Sequence, residues 1–209
     1  MISIIDYDAG NLRSVAKALE RAGAQPLITA DAQAILNSEA VVLPGVGAFS
    51  DCMESLIKKG MDRVVRACFE MKKPFLGICL GYQMLFESSC EHPEGMPDIP
   101  GLGLFKGKVK RFPDAEGLKV PHMGWNTLAF SKDSPFFEGL RPESYVYFVH
   151  SYYVDAADKR LVAATTDYGV TFDAAIAGDR FFAMQFHPEK SGDVGFRLLN
   201  NFLKVVQGT

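Results

Sequence analysis

The chain has 209 residues, of which 48% are hydrophobic and 22% are charged, as in a globular protein that buries a substantial core. Its formal net charge of −3 argues against a nucleic-acid partner or an anionic membrane surface. The N-terminus reaches Asp6 at once, unlike a signal peptide, and no uncharged run approaches the about 20 residues of a membrane-spanning helix.

The first part of the chain alternates short apolar runs with segments of helical periodicity, as βαβ units do. "ISIIDY" predicts a strand, and "GNLRSVAKALERAG" predicts a helix that Gly23 caps. "QPLIT" and "AVVLPGVG" predict two further strands, the second of which ends in a glycine-rich turn. "DCMESLIKKG" predicts a helix opening on a capping box of Asp51 and Glu54, and the helical pattern continues to Pro74 with a break at Gly60.

A strand, a sharp turn and a helix are predicted from Phe75 onward, in "PFLGI" and "YQMLFESS". "EHPEGMPDIPGLG" is too rich in Pro and Gly for a regular element. "LFKGKVKRF", "YVYFVHSYYV", "LVAATT" and "FFAMQF" predict strands, and "GDVGFRLLNNFLKVV" predicts a closing helix. We therefore expect one α/β domain over residues 1–209, with a mainly parallel central sheet flanked by helices and additional antiparallel strands.

Cys79 lies between Gly77 and Gly81 at the predicted strand-to-helix turn. At such an elbow the glycines avoid collisions, while the free N–H groups of the helix favour a thiolate and can bind an oxyanion. This pattern favours a nucleophile, the alternative being a small buried hydrophobic residue. Cys52, Cys68 and Cys90 lack flanking glycines and are expected in the core or at the surface. No C-x-x-C pair or zinc-finger spacing occurs, which indicates free thiols in a cytoplasmic setting and no metal.

A cysteine nucleophile needs a base, and the tripeptide His-Pro-Glu occurs twice, at residues 92–94 and 187–189. Proline extends the residue before it, so that each glutamate could orient its histidine. His187 directly follows the apolar run "FFAMQF", and sites in α/β sheets form beyond the carboxyl ends of strands. We therefore predict that His187 and Glu189 serve Cys79, and that His92 and Glu94 form an exposed loop pair.

The stretch "PGVG", residues 44–47, follows a predicted strand. Taken alone it is a tight turn, but beside a cysteine, a histidine and a glutamate its peptide N–H groups become candidates for a second oxyanion donor. The G-x-G-x-x-G fingerprint and the Walker sequence are absent, so that no nucleotide cofactor is indicated. A glycine turn can also rotate a peptide unit at modest cost, which would permit an inactive state in which a carbonyl replaces the N–H.

Five motifs, "PGVGAF", "GICLGYQ", "VPHMGWN", "YFVHSY" and "MQFHPEKS", follow one another across almost the whole chain. In this order they resemble the class I, triad-type glutamine amidotransferases, and more narrowly the glutaminase subunits of imidazole glycerol phosphate synthases. The resemblance implies that Cys79 is the nucleophile, that His187 is the general base and acid, and that Glu189 orients His187. It also implies hydrolysis of glutamine through a thioester, without metal or organic cofactor.

Further roles are implied by the same resemblance. Backbone N–H groups of the oxyanion hole would come from Leu80, Val46 and Gly47. The amino-acid end of glutamine would be held by Gly47, Gln83, His150, Ser151 and Tyr152. A separate cyclase subunit with a (β/α)₈ barrel would receive the ammonia, and candidate contacts or gates toward it are Met123, Trp125, Tyr147 and Lys190. For Trp125 a place in the core remains the alternative.

Three other functions stay open at the level of sequence. The chain could supply ammonia to another synthase, such as one for vitamin B6, guanylate or anthranilate. Identifying the synthase that co-purifies with the chain would discriminate between these functions. A cysteine hydrolase or protease would turn over amides other than glutamine. A catalytically dead regulatory subunit would have no physical need for all of Cys79, His187 and Glu189.

Overall fold

The computed structural model describes residues 1–208. Its helices are α1 (Leu12–Arg21), α2 (Ala32–Asn37), α3 (Phe49–Lys58), α4 (Met61–Glu70), α5 (Leu80–Gln83) and α6 (Gly192–Gln207). Its strands are β1 (Ile2–Ile5), β2 (Pro26–Thr29), β3 (Ala40–Gly45), β4 (Phe75–Cys79), β5 (Phe86–Ser89), β6 (Ile99–Pro100), β7 (Phe105–Arg111), β8 (His122–Thr127), β9 (Ala129–Phe130), β10 (Tyr145–His150), β11 (Tyr152–Ala156), β12 (Val162–Asp167), β13 (Thr171–Ala177) and β14 (Phe181–Met184). Short 3-10 turns occupy Pro135–Phe137, Lys159–Leu161 and Pro188–Lys190.

Twelve of the strands form one sheet in the order β2-β1-β3-β4-β14-β13-β11-β7-β5-β6, with β12 and β9 attached through β13. Strands β2, β1, β3, β4 and β14 are parallel neighbours. From β14 to β7 the pairing is antiparallel. Strands β8 and β10 form a separate antiparallel pair. The predicted α/β class with a parallel centre and additional antiparallel strands is confirmed.

The core lies on both faces of the large sheet, as two hydrophobic clusters. One cluster contains side chains of α1 and α6, such as Leu19 and Phe202, and the other contains side chains of α3 and α4. Val41 and Val42, neighbours in β3, belong to different clusters because side chains alternate across a strand. Helices therefore cover both faces, which explains why the central strands are continuous apolar runs in the sequence.

The predicted helix ends are partly confirmed and partly wrong. Gly23, with φ of +90°, donates its N–H to the Glu20 carbonyl (2.9 Å) after the end of α1, and Gly60, with φ of +69°, separates α3 from α4 as predicted. The capping box of Asp51 and Glu54 is wrong, because α3 begins at Phe49. Its first N–H donates to a distant carboxylate, Glu91 Oε2, at 2.9 Å.

The helix predicted over "YQMLFESS" is a single turn, because α5 ends at Gln83 and β5 begins at Phe86. Pairing of β5 with β7 outweighs the local helical preference of this segment. Cys90 and His92 consequently follow a strand and not a helix. The stretch "HMGWN" lies in strand β8, and neither this strand nor α2 and β13 were predicted.

The segment "YVYFVHSYYV" contains two strands, β10 and β11, with Ser151 between them. Strand β10 pairs with β8, whereas β11 belongs to the large sheet. Ser151 therefore lies where the chain passes from one sheet to the other. Within residues 1–208, no helix has both the length and the apolar character needed to cross a membrane.

Candidate active site

The candidate site lies where the parallel strands β3, β4 and β14 end side by side. Gly45 at the end of β3 is the register partner of Cys79 at the end of β4, and Met184 at the end of β14 is opposite Ile78. The glycine turn, the cysteine and His187 therefore emerge from neighbouring strands at one edge, the usual place for a site in an α/β sheet.

Cys79 adopts a backbone conformation that is unusual for a residue with a side chain, with φ of 54° and ψ of −111°. It is 5% exposed and immediately precedes α5. A Cβ atom on Gly81 would lie 1.9 Å from the Leu43 carbonyl oxygen, and one on Gly77 would lie 3.0 Å from the Ala183 methyl group. The two glycines thus allow the turn that carries the thiol to pack directly on β3 and β14.

His187 and Glu189 form a buried pair, with 2.8 Å between Nδ1 and Oε1 and exposures of 2% and 1%. His187 has the extended conformation expected before Pro188. Burial alone lowers the pKa of His187, but Cys79 and Glu189 together raise it to about 10. The buried Nε2 makes no hydrogen bond within ordinary distance and angle limits, although Cys79 is near enough to affect the ring's pKa. This nitrogen is therefore available for proton transfer at the thiol.

A cavity of about 520 Å³ opens above these residues, within the size range of small-molecule sites. Cys79 and His187 line it. Lys190 lines it too. The cavity is also lined by all the residues that the sequence suggested for the oxyanion hole and for glutamine binding, which are Val46, Gly47, Leu80, Gln83, His150, Ser151 and Tyr152. The structure thus brings together groups that lie far apart in the chain.

The carboxamide of Gln83 is fixed beneath the cavity. Its Nε2 donates to the Tyr152 carbonyl (2.9 Å) and to Gln185 Oε1 (2.9 Å), while its Oε1 is buried without a partner. Gln185 in turn donates its Nε2 to Cys79 Sγ at 3.7 Å. The sequence reasoning did not select Gln185, although it stands two positions before His187 in the quoted motif "MQFHPEKS".

Glu91 also lines the cavity and was not selected from the sequence. Its carboxylate accepts from the Phe49 N–H at the start of α3, and burial raises its pKa above the ordinary value. Glu91 lies in a stretch rich in Pro and Gly that gives no periodicity, so that no sequence signal separates it from its exposed neighbour Glu94. Within this cavity Glu91 provides an acidic group that is separate from the His187–Glu189 pair.

His150 contributes to the cavity wall while its ring is fully engaged in hydrogen bonds. Its Nδ1 lies 2.8 Å from the Tyr152 carbonyl, which can only accept, so Nδ1 carries the hydrogen. Its Nε2 then accepts from His122 Nδ1 at 3.0 Å. Burial lowers the pKa of His150 to about 3 and that of His122 to about 4. The His150 ring is therefore a neutral structural support for the segment at Ser151.

His92 lies away from the cavity. Its Nε2 is 3.3 Å from Asp98 Oδ1, and its Nδ1 is 2.8 Å from the Pro93 carbonyl, so that Glu94 does not orient it. Of the two His-Pro-Glu tripeptides, only residues 187–189 pair their histidine with their glutamate. This placement agrees with the choice of His187 from its position after a strand.

An exposed apolar face adjoins the segment that carries His187. Met123 and Trp125 of β8 are 62% and 55% exposed, which argues against a core position for Trp125. Tyr147 of β10 is opposite Trp125, and Lys190 Nζ lies 5.6 Å from the centre of the Tyr147 ring. The backbone N–H of His187 donates to the Tyr147 carbonyl at 3.0 Å, so this face is hydrogen-bonded to the segment that carries His187.

No group of three or more His, Cys, Asp or Glu side chains within residues 1–208 could hold a metal ion. The functional groups that line the cavity are one thiol, two imidazoles, one carboxylate, two carboxamides, two hydroxyls, one ammonium group and backbone amides. Such a set can carry out acyl transfer at a cysteine, with a histidine as the proton carrier.

Comparison with known proteins gives concordant results. Residues 3–206 match the family model for class-I glutamine amidotransferases. The chain is 50% identical over 207 residues to imidazole glycerol phosphate synthase subunit HisH of Caldanaerobacter subterraneus subsp. tengcongensis, covering 99% of each chain. It is 53% identical over 208 residues to the HisH subunit of Thermosynechococcus vestitus, covering 99% of this chain and 97% of the relative.

Solved structures share the fold at lower sequence identity. A crystal structure of a glutamine amidotransferase has a TM-score of 0.74 with 21% identity and covers 99% of this chain and 98% of its own. The structure of PurLQS from Thermotoga maritima has a TM-score of 0.75 with 19% identity and covers 97% of each chain. These structural similarities cover 97–99% of this chain.

Proposed function

The chain belongs to the class I glutamine amidotransferases, and from this premise we propose that it is the glutaminase subunit of an imidazole glycerol phosphate synthase, acting in histidine biosynthesis. One observation carries the catalytic part of the proposal. Cys79, held in a strained elbow, shares a cavity with His187, whose other ring nitrogen is bonded to Glu189. The cytoplasm is the proposed site of action, since the relatives are subunits of a biosynthetic enzyme.

The reaction begins with attack of the Cys79 thiolate on the side-chain carboxamide carbon of glutamine. Backbone N–H groups of Leu80 and of the Val46–Gly47 turn stabilise the oxyanion, and His187 protonates the leaving ammonia. A γ-glutamyl thioester remains on the sulfur. His187 then removes a proton from water, the resulting hydroxide attacks the thioester, and glutamate leaves as the thiol is restored.

The pKa of His187 supports its double role. While the sulfur is ionised, Cys79 is one of the two neighbours that raise this pKa to about 10, so the ring holds a proton. Formation of the thioester removes the charge from the sulfur and leaves Glu189 as the remaining partner. The His187 pKa then falls, and the ring becomes a base for the second half of the reaction.

The cavity offers complementary groups for an amino acid. The unpaired Oε1 of Gln83 and the carboxylate of Glu91 would accept hydrogen bonds from the α-ammonium group of glutamine. Backbone N–H groups at Gly47, Ser151 and Tyr152 would meet its α-carboxylate. Glu91 thereby extends the set of glutamine contacts suggested by the sequence resemblance.

The relatives are named as subunits of imidazole glycerol phosphate synthase, and we propose that the partner of this chain is the cyclase subunit, a (β/α)₈ barrel. The exposed face of Met123, Trp125 and Tyr147 would meet this partner, with Lys190 as an ion-pairing residue. Ammonia released at Cys79 would pass to the cyclase, where it helps to convert an aminoimidazole-carboxamide ribonucleotide precursor into imidazole glycerol phosphate and the purine intermediate released from that precursor.

The glycine turn provides a means of regulating the reaction. Gly47 has φ of +106°, no atom lies within 4 Å of where its Cβ would be, and the Val46 carbonyl accepts from the Cys52 thiol at 3.4 Å. Loss of one oxyanion donor slows such reactions by roughly 10² to 10³. We expect slow glutamate release by the isolated chain and faster release with the cyclase and its nucleotide ligand; equal turnover under both conditions would contradict this switch.

Covalent labelling tests the proposed chemistry directly. A glutamine-like electrophile should label Cys79 alone, because burial raises the pKa of both Cys52 and Cys68 to about 11 and keeps them as thiols. Cys79→Ala should abolish glutamate release without loss of fold. Predominant labelling at Cys52, Cys68 or Cys90 would overturn the assignment, and turnover of amides other than glutamine would indicate a general hydrolase.

A further inference from the structure

The hydrogen bonds around Gln185 have a direction that the structure fixes without ambiguity. The Tyr152 carbonyl can only accept, so the atom of Gln83 at 2.9 Å from it must be the amide nitrogen. The same nitrogen lies 2.9 Å from the Gln185 carboxamide, which must therefore present its oxygen there. The remaining Gln185 atom, Nε2, is then a donor directed at Cys79 Sγ, at 3.7 Å.

Gln185 is well placed to keep this orientation. It is fully buried, with 0% exposure, and its backbone N–H donates to the Ala174 carbonyl at 2.8 Å. The residue leads from β14 into the segment that carries His187, so one short stretch of chain presents both groups to the sulfur. A donor held in a buried and preorganised position interacts with a negative charge more strongly than water-exposed groups do.

Two further titratable groups that interact with Cys79 do not supply a positive charge. Burial raises the pKa of Tyr7 well above its ordinary value and that of Cys52 to about 11, so both are neutral at pH 7. His187 and Gln185 are therefore the neighbouring side chains that can favour an anionic sulfur, besides the ammonium group of Lys190 in the wall of the same cavity. The resemblance-based triad contains only the first of them.

We propose that Gln185 is a hydrogen-bond donor that stabilises the thiolate form of Cys79 and, through Gln83, ties the nucleophile to the backbone at Tyr152. Gln185 is thus part of the nucleophile's environment, while Gln83 is a positioning residue that sets its orientation. This inference deepens the proposed function, since it concerns the same thiol, but its test does not require glutamine turnover.

The test is the pH dependence of Cys79 alkylation by iodoacetamide in the full-length chain, followed by mass spectrometry of the Cys79 peptide. Gln185→Met keeps the approximate volume but lacks the donor, so alkylation at pH 7 should be about tenfold slower, as for loss of one hydrogen bond to a charged group. The difference should vanish at high pH, where the thiol is ionised in both proteins. Gln185→Glu, which places an oxygen opposite the sulfur, should be slower still at pH 7.

Asn201→Leu is a matched control, because Asn201 is a buried carboxamide that donates to the Phe136 and Glu138 carbonyls away from the cavity. It should lower thermal stability without changing alkylation. If Gln185→Met does not fold, Gln83→Met tests the same chain of hydrogen bonds, with a smaller expected loss because Gln185 is retained.

Two results would overturn the inference. Equal alkylation of wild type and Gln185→Met at pH 7 would show that the donor is immaterial, and an equal slowing at every pH would show an effect of packing or access. Either result leaves the proposed function standing. A wild-type chain that is not alkylated at Cys79 would instead contradict the proposed function itself.

Discussion

Replacing Gly81 by alanine should disable the nucleophile without touching any group that takes part in the chemistry. The added methyl group would lie 1.9 Å from the Leu43 carbonyl oxygen, and ordinary contact begins at 3.4 Å. The turn after Cys79 must therefore retreat from β3 by about 1.5 Å, and displacement by 1 Å at a reacting group can cost about 10²-fold in rate. Overpacking of this kind also costs roughly 1–3 kcal/mol of stability.

The assay is glutamate release by the complex with the cyclase, combined with thermal melting of the isolated chain. Gly77→Ala is the matched comparison, since its methyl group would lie 3.0 Å from the Ala183 methyl, a contact that a shift of a few tenths of an ångström relieves. Neither glycine has positive φ, so the contrast between the two variants is steric.

We expect a loss of at least about 100-fold in turnover for Gly81→Ala and a much smaller loss for Gly77→Ala. Wild-type turnover in Gly81→Ala would refute the close packing of the elbow on β3. Equal losses of turnover in the two variants would show that the distance from the added methyl group to its nearest neighbour does not determine the loss.

Three further predictions concern the rest of the site. His187→Ala should lose roughly 10⁴-fold or more in turnover, and Glu189→Ala should lose less. His92→Ala should match wild type, because His92 is remote from the cavity. Equal losses of turnover in the two histidine variants in steady-state assays would contradict this prediction. Trp125→Ala should leave the melting temperature of the monomer nearly unchanged, because the ring is 55% exposed. The same variant should weaken binding to the cyclase by about 2 kcal/mol, as measured by calorimetry. A large loss of monomer stability with normal binding would place the ring in the core. Burial lowers the pKa of His122 to about 4 from its ordinary 6.5, so the stability that the neutral ring contributes is complete above pH 6.5 and is lost as the pH falls toward 4. His122→Gln should therefore flatten the fall of the unfolding free energy with pH, as measured by urea titrations. An unchanged dependence on pH would contradict this prediction.

Features encoded by local pattern could be predicted from the sequence. The apolar run of β3 and the periodicity of α1 fix an element and the face that it buries. The glycines around Cys79 indicate an elbow because a crowded backbone excludes side chains there. The position of His187 after β14 is informative because parallel strands end at a common edge.

Features that depend on distant partners could not be predicted. The α3 N-terminus is capped by Glu91, 42 residues later in the chain, where no local rule applies. Strand β5 forms because β7 lies beside it, against the helical preference of its own residues. Gln185 resembles any buried polar residue in an apolar run until the fold places its amide between Gln83 and Cys79.

At position 79 the backbone conformation that catalysis requires lowers the thermal stability of the protein. A φ of 54° in a residue with a side chain typically costs about 1–3 kcal/mol, whereas glycine adopts it freely and loses only about 0.5–1 kcal/mol through its more flexible unfolded chain. An inactive Cys79→Gly protein should therefore outlast the active enzyme on heating. A screen that selects for thermal stability alone would therefore enrich inactive variants at position 79. A screen for stabilised variants of this enzyme must measure turnover as well as resistance to heating.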